Sequence, residues 1–242
     1  MLYSNQCEAR NITTTKVTNA FSEWLPELLQ MNDPMFPTGA YAHSLGLEEI
    51  VRLEVVRDAV TLAEFLREHV APALEDFELP MLRLAWDAAR CGDIEALVSI
   101  DKELDAWKIC PELREASSAI GTRRLGMLRK LREDPLLEVF WARDTSKHQI
   151  VVLGLQGRAM PIQAVLAAYY YQSMAGICGA ALKLIRIGQE GCQKVLHDVL
   201  ADCANVIERS MEVKRHHLGV FNPLLEIASG RHEYAFERLF IS

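Results

Sequence analysis

The segment from residue 164 to residue 182 restricts the fold more than any other part of the chain. It is almost continuously apolar and close to the length that a bilayer requires, which is about 20 residues of helix. Gln172, Ser173 and the tyrosines at 169–171 lie in its middle, whereas membrane helices carry aromatic residues at their ends. We therefore predict a helix buried on all sides at the centre of a bundle, with a membrane span as the alternative.

Apolar residues recur at helical spacing through most of the chain after residue 20. The stretch from Thr61 to Glu64 has the sequence of a capping box, and Asp93 suits the start of a further helix. Residues 150–155 are rich in β-branched side chains, but no second strand is available to pair with them, so we predict a helix there. The chain should form an all-α, single-domain bundle of roughly eight to ten helices over residues 21–242, after a disordered N-terminal tail at 1–20.

Composition indicates an ordinary globular protein and disfavours some functions. With 242 residues, of which 50% are hydrophobic and 24% charged, the chain can bury a core without disulfides or metal sites. The formal net charge of −7 disfavours nucleic acid as a partner, because phosphate binding needs clustered Lys and Arg. The six cysteines show no C-x-x-C spacing and the N-terminus has no apolar signal region, so we expect reduced thiols and a cytoplasmic location.

Three local patterns allow other interpretations. Ala42 to Gly46 resembles the Ala-x-Ser-x-Gly turn of serine hydrolases with Ser44 as nucleophile, although the prolines before it do not suit the required strand. His216 and His217 are adjacent, so on a helix they point about 100° apart and do not chelate together, which leaves a lone or transient metal ligand as the alternative. A basic run is either an exposed helix face or a docking surface for an acidic partner. It comprises Arg114, Arg123, Arg124, Arg129, Lys130 and Arg132.

Four segments agree in order and spacing with the signatures of one known family. These signatures are a Pro-x-Gly-x-aromatic loop followed by Ser-x-Gly-Leu-Glu, an arginine-bearing helix, a Lys and Gly-Gln region, and a His-Glu-x-x-aromatic-x-Arg-Leu-aromatic terminus. Here they are Phe36 to Glu48, Glu112-Leu113-Arg114 with Gly121, Lys183 with Gly188-Gln189 and Gly191, and Arg231 to Phe240. On these matches the chain resembles the urease accessory protein F family.

The resemblance implies an all-α protein without catalysis, which would bind the D-type (also called H-type) urease accessory protein and recruit the accessory GTPase. The assembly would deliver nickel to apo-urease and modulate the GTPase, with nickel as cargo and no firmly bound cofactor. A homodimer is also implied, and the helix of Tyr171, Gly176 and Gly179 is the expected self-association face. No catalytic residue, metal ligand, nucleic acid or membrane is expected. The implied partner-binding residues are Pro37, Gly39, Tyr41, Ser44, Gly46, Glu48, Arg114, Tyr171, Lys183, Gln189, His232, Glu233, Arg238, Leu239 and Phe240.

Two segments carry more specific expectations. The tail at 231–242 ends the chain with several aromatic residues, and we expect it to be mobile in the isolated chain and ordered on the D-type partner, with Arg238 fixing its register. The alternative is a terminal segment docked on the core of its own chain. Gly39 follows two prolines, and we expect it to have a positive φ or to lie where a side chain would collide with a partner.

Overall fold

The computed structural model describes residues 20–40, 43–44, 46–219, 222–232 and 238–241, and for residues 20–22 and 232 it describes the backbone alone. Within these ranges the regular structure is helical and no β-strand occurs. The all-α prediction is therefore confirmed, including the β-branched segment at 150–155, which lies in a helix. The predicted N-terminal tail falls almost entirely on residues 1–19, which lie outside the described ranges.

The described chain forms eleven helices when the continuous run from 59 to 91 is counted as one, against the roughly eight to ten that periodicity predicts. They are α1 (Ala20–Met31), α2 (Leu47–Arg52), α3 (59–91), α4 (Ile94–Trp107), α5 (Pro111–Leu131), α6 (Pro135–Trp141), α7 (Gln149–Gln156), α8 (Ile162–Leu184), α9 (Gln189–Leu200), α10 (Cys203–Glu212) and α11 (Pro223–His232). Helix α3 consists of Ala59–Phe65, Ala71–Ala73 and Leu79–Cys91, joined by π-helical turns at Leu66–Val70 and Leu74–Glu78. Pro72 and Pro80 each lie just after one of these turns, whose altered hydrogen-bond spacing accommodates a residue without a backbone donor.

The start of α3 differs in detail from the prediction. Asp58 is its N-cap: the Asp58 carboxylate accepts the backbone N–H of Thr61 at 2.9 Å, and the Thr61 hydroxyl accepts the N–H of Asp58 at 3.1 Å. The predicted capping box that begins at Thr61 is therefore wrong, because an acidic cap three residues earlier makes Thr61 the reciprocal partner. Asp93 caps α4 as predicted, accepting the N–H of Ala96 at 2.9 Å.

The core is built around α7, which packs between α3 and α5. All residues from Ile150 to Gln156 are buried. A helix enclosed in this way has no side that faces solvent, which accounts for its almost uniformly apolar sequence. Gly121 of α5 permits the close approach to α7, since a Cβ there would overlap the carbonyl oxygen of Lys147 and lie 2.7 Å from the backbone nitrogen of Gln149.

Helix α8, predicted to be the central helix, is buried along one side only. Tyr169 and Tyr170 lie on the buried side, whereas Tyr171 is 45% exposed. No atom lies within 4 Å of a Cβ built on Gly176 or Gly179. The prediction of a helix buried on all sides is therefore wrong, because neighbouring helices leave a stripe that includes Tyr171 and Leu182 uncovered. No helix in the described ranges combines the length and apolarity needed to cross a membrane.

The close approach at Gly121 can be tested with a matched pair of substitutions in α5. Gly121→Ala should destabilise the fold by about 3 kcal/mol, because the new methyl group overlaps backbone atoms that cannot rotate away. Gly126→Ala should stabilise it by about 0.5–1 kcal/mol, because a Cβ there meets only the Trp141 ring at 3.9 Å and alanine is the better helix former. Urea denaturation measures both free energies of unfolding. Equal effects of the two variants would contradict the packing described for α5 and α7.

Candidate functional site

The described part of the C-terminal tail, residues 238–241, lies against the first turn of α2. The Glu48 carboxylate accepts the backbone N–H of Leu239 at 2.9 Å and that of Phe240 at 3.1 Å. Glu48 is only 8% exposed. A carboxylate buried in this way needs hydrogen-bond donors, and the backbone of the tail supplies two of them. Its place in the first turn of a helix favours the negative charge further.

We call the pair of hydrogen bonds from the tail backbone to the Glu48 carboxylate the clamp. Side-chain contacts also hold the tail, on both sides of this clamp. Phe240 is buried, and the Lys183 ammonium of α8 lies 5.2 Å from the centroid of its ring, within the range of a cation–π interaction. Nη1 of Arg238 lies 3.4 Å from Oε1 of Glu112 at the start of α5. The tail therefore contacts α2, α5 and α8 at once.

The four family-like segments of the sequence meet at this place. The first contributes Glu48, the second Glu112, the third Lys183, and the fourth the tail itself. We call the resulting group the tail cluster, and its members are Glu48, Glu112, Lys183, Arg238, Leu239 and Phe240. Sequence reasoning selected all of these except Glu112 as individual site residues, but it did not predict that they lie together.

The expectation that the tail is mobile in the isolated chain is wrong for residues 238–241, where the alternative of a docked segment holds. The reason is the combination of a buried acceptor, Glu48, with an apolar site for Phe240. Neither can be recognised from the sequence of the tail alone. Residues 233–237, which carry the other aromatic side chains, lie outside the described part.

A second acidic residue in the first turn of α2 holds α11. The Glu49 carboxylate lies 3.0 Å from Nε of Arg231 and 3.1 Å from Nη1 of Arg52, and its side chain is only 2% exposed. Sequence reasoning missed Glu49. The two consecutive acids thus bind the last helix and the tail beyond it, so α2 is the attachment point of the C-terminal region.

Ser44 and Gly46 shape the start of α2. Ser44 is buried, and its hydroxyl oxygen accepts the backbone N–H of Glu48 at 3.4 Å. Gly46 is the N-cap of the helix with φ 88°, a left-handed conformation that suits glycine. A hydrolase elbow places its serine between a strand and a helix, and no strand occurs in the described ranges before Ser44. The serine-hydrolase alternative therefore lacks its geometric basis.

The other predicted partner-binding residues outside the loop between α1 and α2 do not belong to the tail cluster. Tyr171 lies on the exposed side of α8, and Gln189 is exposed as the first residue of α9. Arg114 donates to a backbone carbonyl of its own chain at 3.0 Å. Glu233 and the side chain of His232 lie outside the described part of the chain.

The loop between α1 and α2 holds three further predicted residues. Pro37 is exposed, and Gly39 has φ +74°, which confirms one of the two alternatives predicted for it. Nη1 of Arg123, in α5, donates to the carbonyl oxygen of Thr38 at 3.2 Å. Tyr41 lies outside the described residues.

The basic run of α5 binds its own chain. Its arginines contact carbonyl oxygens or carboxylates as follows: Arg114 with Lys108, Arg123 with Thr38, Arg124 with Met31, Arg129 with Glu138, and Arg132 with Glu27. The interpretation as an exposed helix face is wrong for Arg124, which is buried, but holds for Arg123, which is exposed. The docking surface for an acidic partner stays a prediction. Arg124 is fully buried. Its spacing of four residues from Ile120, on the apolar stripe of the helix, is the sequence signal that could have identified it.

A mainly apolar cavity of about 240 Å³ lies among α3, α5, α8 and α11. Three polar side chains in its wall bind one another. The Glu78 carboxylate accepts hydrogen bonds from the Lys108 ammonium at 2.9 Å and from the Tyr169 hydroxyl at 2.8 Å. Burial raises the pKa of Glu78, but the charge of Lys108 and the two hydrogen bonds outweigh it and hold that pKa below its usual value. Burial, followed by the nearby Glu78, raises the pKa of Tyr169. These groups satisfy one another at neutral pH.

The described residues contain no group of three or more His, Cys, Asp and Glu side chains arranged to hold a metal ion. His216 and His217 lie in a short 3₁₀ turn with ring centroids 4.2 Å apart in an edge-to-face arrangement. Of the cysteines in the described ranges, Cys110, Cys178 and Cys192 are buried thiols. Cys203 is half-buried and Cys91 is exposed.

Comparison with known proteins gives a consistent result. The family model UreF matches residues 56–200. A "Urease accessory protein UreF" of Actinobacillus pleuropneumoniae is 30% identical over 224 residues, covering 90% of this chain and 99% of that protein. Proteins of the same name from Haemophilus influenzae (strain PittGG) and Arthrobacter sp. (strain FB24) are each 29% identical, covering 90% and 89% of this chain.

These matches cover about nine tenths of the chain. The shared name describes an accessory protein of urease, a role distinct from that of the enzyme. The resemblance found in the four sequence segments is thereby confirmed. This chain belongs to the UreF family of urease accessory proteins.

Proposed function

We propose that this chain is a non-catalytic scaffold of urease maturation in the cytoplasm. As a homodimer it bridges the D-type (H-type) accessory protein and the accessory GTPase, modulates that GTPase, and so allows nickel to be inserted into apo-urease. Nickel is the cargo of this assembly and not a resident cofactor. The observation that carries the proposal is the convergence of all four family-like segments on the tail cluster.

The tail is the proposed binding surface for the D-type partner. Phe240 points inward, whereas its neighbours Leu239 and Ile241 are 66% and 60% exposed. Two apolar side chains projecting from a segment fixed by its backbone suit the role of interface anchors. Because the clamp at Glu48 already orders this segment, binding loses less conformational entropy than it would with a free tail.

The exposed side of α8 is the proposed dimer interface. Tyr171 and Leu182 are 45% and 39% exposed, and the open position at Gly179 lies between them. Gly176 faces about 140° away from Tyr171 and lines the apolar cavity. Small residues let a second helix approach closely, while the tyrosine supplies a large contact area.

The loop at residues 33–39 is the proposed surface that recruits the GTPase. Its tip is apolar and exposed, with Met35 86% accessible. The loop joins α1 to the segment that leads into α2, so it lies close in sequence to the attachment point of the tail. A partner at the tail and a partner at the loop could therefore be held by adjoining parts of one molecule.

The tail can be tested by removing residues 238–242. The truncated chain should remain a helical dimer, because only four described residues and their contacts with α2, α5 and α8 are lost. It should no longer co-purify with the D-type partner, because the anchors Leu239 and Ile241 are gone. Pull-down and a thermal melt measure these outcomes together. Normal binding by the truncated chain would exclude the tail as the anchor, and loss of the helical fold would show that the tail is part of the core.

The role of Arg238 can be tested separately. Arg238→Ala should weaken binding of the D-type partner by about 1.5–3 kcal/mol if Arg238 makes a charge-assisted hydrogen bond in the complex. The free energy of unfolding of the variant without its partner should change little, because the ion pair of Arg238 with Glu112 is partly exposed. Lys194→Ala removes a comparable exposed pair, with Glu190 in α9, and serves as control. Titration calorimetry gives the affinities, and equal affinities for both variants would contradict the role of Arg238.

The dimer interface predicts a change of oligomeric state on Tyr171→Asp. A carboxylate forced into an apolar interface without a partner costs a few kcal/mol, so the variant should shift towards monomer. Val60→Asp, at a residue that is 66% exposed in α3, is the matched control and should leave the dimer intact. Size exclusion with light scattering distinguishes them. A wild-type monomer, or a Tyr171→Asp dimer, would contradict the proposed interface.

A further inference from the structure

His148 is a buried histidine at the junction of three helices. It is the N-cap residue of α7, and its side chain is 0% exposed. Its ring atom Nδ1 lies 3.1 Å from the hydroxyl oxygen of Ser117 in α5, and its Nε2 lies 3.3 Å from Oδ1 of Asp105 in α4. The imidazole therefore joins α4 to α5 at the point where the core helix begins.

The two partners of the ring require a neutral imidazole. A carboxylate accepts hydrogen bonds only, so Nε2 carries the hydrogen and donates it to Asp105. Nδ1 then has a lone pair, which accepts the hydroxyl hydrogen of Ser117. A second proton would occupy Nδ1, and the hydrogen bond that Ser117 donates would be lost.

The turn before α7 is held by Asp101, which is also in α4 and is fully buried. Its carboxylate accepts the backbone N–H of Lys147 at 2.8 Å and that of His148 at 2.7 Å. Lys147 has φ +56°, a left-handed conformation that the surrounding contacts must hold in place. Asp105 likewise accepts a second donor, the Ser146 hydroxyl, at 2.7 Å. Both carboxylates near the ring are thus already engaged by this turn.

The surroundings of the ring oppose a positive charge on it. Burial is the largest effect and lowers the pKa of His148; Asp101 and Asp105 act in the opposite direction, and Lys108 lowers that pKa further. The start of a helix also disfavours a cation, because the helix dipole is positive there. The other titratable groups that interact with the ring or its partners are Glu78 of α3, which binds Lys108 and Tyr169 of α8, and Arg114 of α5.

We propose that His148 makes the attachment of the core helix sensitive to acid: its neutral imidazole holds α4, α5 and the start of α7 together, and its protonation releases the turn at residues 146–148. Ser117 and Gln149, on either side of this contact, also line the apolar cavity. Release of the turn would therefore change the wall of that cavity. The device lies within the single chain and needs no partner protein.

The sign of the pH dependence follows from the direction of the pKa shift. Because the pKa of His148 is lowered from 6.5 in the folded chain, the unfolded chain takes up this proton first as the pH falls. The stability that the neutral imidazole contributes is fully present above about pH 6.5 and is lost progressively as the pH falls below it.

The test compares the full-length wild type with His148→Gln and with the matched control His216→Gln, whose histidine is exposed. Glutamine fills part of the space of the imidazole and takes up no proton. If folding keeps His148 neutral throughout, the unfolding equilibrium constant of the wild type should rise about tenfold more than that of His148→Gln between about pH 7.5 and about pH 5.5. His216→Gln should follow the wild type. Urea denaturation measures the constants, and an equal pH dependence of wild type and His148→Gln would overturn the proposal.

Hydrogen exchange of the wild type decides the matter even if His148→Gln fails to fold. After correction for the intrinsic effect of pH, the backbone amides of residues 147–148 should exchange up to about tenfold faster at about pH 5.5 than at about pH 7.5. Peptides from α10 serve as the reference and should change less. Unchanged exchange at residues 147–148, or an equal increase in α10, would contradict a local release of the turn.

Discussion

The buried guanidinium of Arg124 is the interaction on which the arrangement of the N-terminal half depends. A cation in the interior is costly unless its hydrogen-bond donors and its charge are compensated. Nη1 of Arg124 donates to the Met31 carbonyl at the end of α1 and to Gln156 of α7, and the guanidinium lies over the ring of Phe36. Its Nε and Nη2 have no hydrogen-bond partner among the described residues, so the compensation is partial. These groups belong to three separate elements that must all be in place around α5. One charge thus fixes α1, the loop after it and the core helix α7 relative to the same helix.

Glu48 does for the C-terminal region what Arg124 does for the N-terminal one. It is a buried charge satisfied by the backbone of a distant segment, with the N–H groups of Leu239 and Phe240 as donors. Because the backbone is recognised, the clamp constrains the position of the tail and leaves the side chains of Leu239 and Ile241 free to face outward. Both charges lie next to surfaces proposed to bind partners, which ties the internal electrostatics of the fold to its proposed function as a scaffold.

Helical periodicity was sufficient to predict the fold class, and α7 was assigned correctly in spite of its β-branched residues because a lone strand cannot satisfy its backbone. The exposed side of α8 could not be predicted, since an apolar sequence does not reveal which stripe its neighbours leave uncovered. The family-like segments identify the site residues Glu48, Lys183 and Arg238, but their meeting depends on contacts between residues 57 to 191 positions apart. For the basic run that includes Arg124 the sequence predicts an exposed helix face or a docking surface, because composition does not distinguish an arginine facing solvent from a buried one.

Hydrogen exchange measured by mass spectrometry, on the full-length chain alone and with saturating D-type partner, tests the central claim most directly. If the docked tail and its attachment point form the binding surface, added protection should concentrate in peptides covering residues 238–241 and the start of α2. Peptides from α10, which does not contribute to the tail cluster, should exchange as in the free chain. Protection confined to other helices, with unchanged exchange at the tail and at Glu48, would contradict the tail cluster as the partner site.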